Sequence, residues 1–585
     1  MLQLLRFLKN QKMESILAPL FKMLEASFDL VVPLVMAQII NVGIAQGDTG
    51  YIIQRCILMI LLGLIGLACS ITAQFFAAKA SVSACTELRH ALLAKIQTLS
   101  FSQLDTISTS TLITRMTSDV NQVQNGLNLF LRLFLRSPFV VFGAMVLAFT
   151  VNVRGALIFV VTIPVLAAVA FTIMLRSRPM YANVQSILDR LTGITRENLT
   201  GARVIRAFGR EDDEVARFEP ANQELKTAQL RVGRLSALMN PLTYVIVNLA
   251  VVAIVRVSGN QVNIGQMEMG DVVVLVNYMS QVLVELVKLA NLVIQIAKAN
   301  ACAGRVWAIL NLQPEMQFGT QQVESKASEM AVEFSDVSLT YANAGAPSLS
   351  KINFTVPKGQ TVGVIGGTGS GKTSLISLVS RFYDATEGTV KLFGRNISDY
   401  NKESLRKSIS VVRQQAQLFT GTIRSNLLWG NGKADDDALW HALELAQADD
   451  FVKSKKLGLD ELVEQGGRNF SGGQRQRLSI ARSLVAQPEI LIFDDSSSAL
   501  DYATDARLRK ALRTLPENVT VFIVSQRASS LSYADQIIVL DEGRMVGLGK
   551  HEELLKTCEV YRDIFESQFS SADGLDAKRE GGTAQ

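Results

Sequence analysis

At 585 residues the chain is too long for one hydrophobic core, and a prior of roughly 150 residues per domain predicts several folding units. Hydrophobic residues make up 48% and charged residues only 19%, against about 25% in typical soluble domains, and the mean hydropathy is +0.24. The composition leans to a membrane protein. A net charge of +5 is small for this length, so no nucleic-acid partner is expected.

The chain opens on a short basic amphipathic piece, residues 1–11, with Arg6 and Lys9 among leucines and Phe7. It is too short to span and suits a membrane interface, and no cleavable signal peptide is read there. Spanning takes about 20 mostly apolar residues. Six stretches meet this, at residues 16–42, 57–78, 129–151, 156–175, 238–257 and 272–296. Lys22, Glu25 and Asp29 interrupt the first, and such charges should face protein or a wet cavity, not lipid. Arg132 and Arg136 stand at i,i+4 spacing, and Asn277, Gln281, Glu285 and Gln295 put polar groups into the last span. Interfacial snorkelling and helix–helix hydrogen bonding account for these, with a cavity lining as the alternative. The loops at 43–54, 152–155 and 258–271 are short. Those at 79–128 and 176–237 are long and basic, which marks the cytoplasmic side and predicts both termini in the cytoplasm. The long loops read as helical, so the membrane helices should continue beyond the bilayer.

Five cysteines, Cys56, Cys69, Cys85, Cys302 and Cys558, form no CxxC pair, and three histidines make a structural zinc site unexpected. The composition shifts after residue 310. The organisation expected is a transmembrane domain over 1–310, a polar linker over 311–330, a nucleotide-binding domain over 331–569 and a disordered tail over 570–585. Strand patterns fall at 332–337, 360–365, 489–493 and 519–524. Asp541-Glu542-Gly543 between two apolar runs is a hairpin signal.

Gly366-Gly367-Thr368-Gly369-Ser370-Gly371-Lys372-Thr373 fits GxxxxGK[ST] between a strand and a helix predicted over 372–381. Glycines let successive backbone N–H groups face phosphates, Lys372 adds a point charge, Thr373 offers a hydroxyl to Mg2+, and the helix N-terminus adds its dipole. The apolar run Ile490-Leu491-Ile492-Phe493 ends in Asp494, which can deliver a carboxylate to the same metal.

Upstream of that strand lies Asn469-Phe470-Ser471-Gly472-Gly473-Gln474. It resembles the LSGGQ signature of ABC ATPases, with Phe in first place. Tyr341 matches the family's adenine-stacking aromatic, Gln414 the Q-loop glutamine, and Ser498-Ala499-Leu500-Asp501 the D-loop. Residues 111–120 and 197–218 resemble the two coupling-helix regions of exporter-type half-transporters. The resemblance covers about residues 7–569. It implies a six-helix membrane domain of exporter type plus an α/β P-loop NTPase domain of ABC type. It also implies ATP and Mg2+ as cofactors, a lipid bilayer around the helices, and a second half-transporter as partner. In this family ATP is sandwiched between one P-loop and the other domain's signature. Tyr341, residues 366–373, Gln414 and Asp494 would then hold this chain's nucleotide, with Thr373, Gln414 and Asp494 toward the metal. Ser471, Gly472, Gly473 and Gln474 would reach the partner's nucleotide.

Three positions depart from the family. Asp495 stands where a catalytic Glu follows the metal-binding Asp, Gln526 replaces the switch histidine, and Gln465 replaces a Glu before the signature. Losing one methylene draws a carboxylate back by roughly 1.5 Å, and a misplacement near 1 Å can cost on the order of 100-fold in rate. The resemblance puts Asp495, Gln526 and Gln414 at the hydrolytic step, and the changes there imply a half that binds MgATP and hydrolyses it weakly. This resembles the degenerate subunit of bacterial heterodimeric multidrug exporters, which move hydrophobic drugs or lipids across the cell membrane. The alternative is an exporter of a defined cargo such as a peptide, haem or a lipid, possibly as a homodimer.

Overall fold

The computed structural model describes residues 2–324, 328–342, 344–496 and 499–568. Ser498 of the D-loop and the tail expected over 570–585 lie outside these. The chain divides into two compact units, one of residues 1–97 and 110–312, the other of residues 98–109 and 313–585.

The first unit holds six helical runs long and apolar enough to cross a membrane: α1 (Arg6–Ile44), α2 (Thr49–Ile96), α4 (Thr109–Val151), α5 (Val153–Thr200), α7 (Glu211–Asn263) and α8 (Met269–Leu310). Two short helices sit between them in sequence, α3 (Phe101–Ile107) and α6 (Ala202–Phe208). The long runs have 39 to 53 residues, and at about 1.5 Å per residue they far exceed a ~30 Å hydrocarbon core. Their ends are set by caps at the short loops. Asp48 accepts from Tyr51 N, Asn152 accepts from Gly155 N, and Glu268 forms a capping box with Asp271. Outward faces carry exposed Ile57, Ile60, Leu64, Leu67 and Ile71, as a helix solvated by lipid should. Inward faces use small residues. Ala144, Ala148 and Ala156 are fully buried, and a Cβ on Gly126 would stand 2.1 Å from that of Ala299, so backbones approach closely there.

Between Arg132 and Arg136 the run α4 passes a short turn at Phe134–Leu135, with both residues of the turn in the helical backbone region. The segment that joins the second unit is 98–109, whereas the pattern at 111–120 had pointed to a coupling region. Residues 111–120 continue α4, through a π-helical turn at Arg115–Asp119. The division also moves 98–109 out of the expected 1–310 domain.

The second unit has two main sheets. β1 (Met330–Leu339), β2 (Leu349–Pro357), β4 (Glu387–Leu392) and β5 (Arg395–Asn396) form an antiparallel sheet ordered β2-β1-β4-β5. β3 (Thr361–Gly366), β6 (Ile409–Val412), β9 (Ile490–Asp494), β10 (Thr520–Val524), β11 (Gln536–Asp541) and β12 (Arg544–Gly549) form a sheet ordered β12-β11-β3-β10-β9-β6. Its interior pairs are parallel, so its strands read as continuous apolar runs, and β12 closes one edge antiparallel to β11. The β11–β12 turn has Glu542 and Gly543 both at positive φ, 42° and 77°, the primed turn that matches strand twist. β7 (Gly421–Thr422) and β8 (Leu462–Val463) form a separate short pair. Residues 311–329 contain no helix or strand among those described, yet they are tied to the sheets. Arg381, 1% exposed, donates to the Gln317 carbonyl and stacks on Phe318, and Gln321 bridges Tyr400.

Candidate phosphate site and family membership

The glycine loop begins where β3 ends, at the carboxyl edge of the parallel sheet, the usual ligand edge of such sheets. Its backbone requires glycine at two points. Gly366 has φ 156°, and a Cβ there would lie 2.1 Å from the Leu540 carbonyl oxygen; Gly371 has φ 97°, and its Cβ would meet Ser348 O and Leu349 at 2.7 Å. Gly369 is also at positive φ, 83°. Gly367, Thr368 and Gly369 are exposed, while Ser370 is 3% exposed and its hydroxyl has no hydrogen-bond partner. A cradle without side chains, a partnerless buried hydroxyl and the N-terminus of the helix Lys372–Val379 suit a bound phosphate. That helix stops two residues short of the predicted 381.

Lys372 is buried, and its ammonium donates to the Gly366 and Gly367 carbonyls at 2.9 and 2.6 Å. Burial pulls its pKa down, opposed by Asp495 and Asp494. The Thr373 hydroxyl donates to Asp494 Oδ1 at 3.3 Å, and Gln414 Nε2 donates to Asp495 Oδ2 at 3.2 Å. Burial raises the pKa of both carboxyls. Sheet register explains the convergence. Val524 pairs with Asp494 and also with Val364, so β3, β9 and β10 end together. Asp495 N donates to Val524 O at 3.1 Å. Gln526 follows β10 with an exposed side chain, and its carbonyl accepts from Gln568 Nε2.

A cavity of about 510 Å3 adjoins this edge, lined by Tyr341, Thr373, Gln414 and Asp494. Tyr341 donates to Ser374 Oγ at 3.0 Å and packs edge-on against Tyr383 at 5.0 Å. The same cavity is lined by residues the sequence did not single out, among them Phe101, Asp105, Tyr383 and Arg413. Tyr383 donates to Asp105 Oδ2 at 2.5 Å, and Phe101 lies 4.7 Å from the Phe382 ring. The only hint in sequence was a Phe-Tyr pair just after the P-loop helix, which carries no periodicity.

The signature residues stand apart from this cluster in their bonding. Ser471 caps the helix Gly472–Val485: its hydroxyl accepts from Gln474 N, and its own N–H donates to Gln474 Oε1 at 3.0 Å. Ser471 and Gly472 are exposed, and Gly473 and Gln474 half-buried, at that helix N-terminus. The Ser-x-x-Gln spacing is thus a capping box as well as a motif.

Comparison with known proteins fits both halves. The ABC transporter transmembrane region model matches residues 15–286, and the ABC transporter model matches residues 349–498. An uncharacterised ABC transporter ATP-binding protein of Mycobacterium tuberculosis is 34% identical over 554 residues, 93% of this chain and 94% of its own length. The uncharacterised ABC transporter ATP-binding protein YfiB of Bacillus subtilis is 33% identical, with 97% and 98% covered. An ATP-dependent lipid A-core flippase of Vibrio vulnificus is 31% identical over 80% of each chain. The solved structure of a bacterial Atm1-family ABC exporter with ATP bound shares the fold, with TM-score 0.80 at 22% identity, covering 95% of this chain and 98% of that one. A six-helix membrane domain fused to an ATP-binding domain whose glycine loop, Asp494 and signature helix are built in this way is an ATPase and translocase, and the chain belongs to the ABC transporters.

Proposed function

We propose that this chain is the ATP-binding but weakly hydrolytic half of a heterodimeric exporter. It would move hydrophobic compounds, drugs or lipids, across a bacterial cell membrane, with both termini in the cytoplasm. The observation that carries the reading is the pairing of two altered side chains at the sheet edge. Asp495 and Gln526 follow the adjacent strands β9 and β10, and Asp494, which ends β9, accepts from the Thr373 hydroxyl. The binding set is complete, and the two groups next to the hydrolytic step are the ones that differ.

In this reading Tyr341 stacks on the base, and the loop from Gly366 to Gly371 with Lys372 cradles the phosphates. Thr373, Gln414 and Asp494 would hold Mg2+. MgATP supplies the phosphoanhydride bond whose hydrolysis drives the cycle. Asp495 is bound by Gln414 but is one methylene short for activating or orienting water, and Gln526 has no ionisable group to offer. General-base help is worth about 10²–10⁴ in rate, and this half would lack most of it. Ser471, Gly472, Gly473 and Gln474 would complete the partner's competent site. The flippase relatives favour the lipid side of the cargo range.

The test is steady-state phosphate release by the purified two-chain assembly. Asp495→Asn should leave most turnover intact, while Ser471→Ala should lower it strongly by acting on the other nucleotide. Collapse with the first and near-normal turnover with the second would overturn the asymmetric reading. Robust ATPase and transport by the single purified chain would overturn the heterodimer.

A further inference from the structure

The membrane unit contains a layer of charge that the ATP site does not use. Arg136 Nη2 pairs with Asp29 at 2.9 Å, and Arg136 Nη1 pairs with Glu285 at 2.5 Å. Glu285 also accepts from Lys288 at 2.9 Å and from the Ser137 hydroxyl at 2.8 Å. Lys22 and Glu25 form a second pair at 2.5 Å beside it. The result is a chain of alternating sign, Asp29–Arg136–Glu285–Lys288. Its middle is buried, with Arg136 11% and Glu285 5% exposed. Its ends are open, with Asp29 48% and Lys288 45% exposed.

The layer lies at membrane depth. Asp29 and Arg136 are each 15 residues from the ends of α1 and α4 at the short loops, and Glu285 and Lys288 are 16 and 19 residues into α8. At 1.5 Å per residue that is roughly 22–28 Å, within a ~30 Å hydrocarbon core. Open charges there cannot rest against lipid tails. They call for a polar surround, and α8 offers polar groups on the same side: Asn277 and Lys288 are exposed, with half-buried Gln281 between them on one helical stripe. Arg136 Nε and Gln281 Oε1 are buried with no hydrogen-bond partner. Replacing a buried ion pair by well-packed apolar residues is often neutral or stabilising, so stability alone does not call for this layer.

We propose that this layer is the headgroup site of the exporter, and that it recognises zwitterionic amphiphiles. Asp29 takes the cationic amine, Lys288 takes the anionic phosphate, and the buried Arg136–Glu285 pair holds the two ends apart. The proposal rests on the export reading above and narrows its substrate class.

The test is equilibrium binding of short-chain amphiphiles to the full-length chain in detergent micelles, read by native mass spectrometry. Dihexanoylphosphatidylethanolamine should bind at least about 10-fold more tightly than dihexanoylphosphatidylglycerol or decyltrimethylammonium, one charge-assisted contact being worth about that much. Asp29→Asn should reduce the first ligand to the level of the second. Lys288→Gln should reduce it to the level of the third, and its half-exposed site makes it the safer variant for folding. Asp29→Glu should restore binding in part. Equal affinity for all three ligands, or variants that leave the preference unchanged, would overturn the headgroup site. ATP-driven flux in vesicles is the separate arm. Flux without head preference overturns this site and keeps the export reading, and binding preference without flux does the reverse.

Discussion

Lys372 shows how one side chain is set by conflicting terms. Burial disfavours its charge, and two nearby carboxylates restore part of it. Lys372→Ala removes one charged donor and leaves the backbone cradle, so nucleotide binding at this site should weaken by about 1.5–3 kcal/mol, roughly 10- to 150-fold. Photolabelling by an ATP analogue would measure it, and unchanged labelling would show the glycine loop to be misassigned. Asp494 adds a pH dependence with a definite sign. Its carboxyl is raised by burial, and only the ionised form attracts a divalent cation. Mg2+-dependent nucleotide binding should therefore fade as pH drops through that raised pKa, sooner than for an ordinary carboxylate. A titration of analogue affinity with and without Mg2+ between pH 7.5 and 5 would show it. Loss setting in only at the ordinary carboxylate range would contradict the buried environment.

At the scale of elements, the segment 98–109 shows how local signals and packing combine. Ser100 and Gln103 form a capping box that starts α3, a signal plain in the sequence. The Gln103 Nε2 also donates to the Gln313 carbonyl at 2.7 Å, 210 residues away, which no local rule foretells. Gln103→Ala removes both, at a cost of about 2 kcal/mol from one cap contact and one hydrogen bond. Amides of residues 101–107 should then exchange with solvent an order of magnitude faster. Exchange at the wild-type rate would mean that α3 is held by its aromatic contacts alone.

For the whole molecule, the alternation of short and long loops predicts a sidedness that labelling can check. In a Cys56→Ser background, which removes the one exposed native thiol, Gln46→Cys should react with a membrane-impermeant maleimide from outside the cell. Asp212→Cys should react only after permeabilisation, and both sites are exposed. The reverse pattern would invert the topology.

What was legible in the sequence shares one property: it depends on neighbours in the chain. Spans of 20 apolar residues, the glycine loop, the Asp541–Gly543 hairpin and the strand ending at Asp494 each follow from local pattern, because lipid, phosphate and turn geometry act on consecutive residues. The sequence by itself thereby determined two halves of different solvent and an ATP-binding edge. Only the tertiary structure decided which distant side chains meet. It placed Phe101, Asp105 and Tyr383 beside the nucleotide edge, tied residues 317–321 to the sheets through Arg381 and Tyr400, and joined Asp29, Arg136 and Glu285 into one layer. Those meetings arise from helix packing and strand order across 64 to 278 positions of separation. At that distance periodicity carries no signal, and the register of packed elements alone selects the partners.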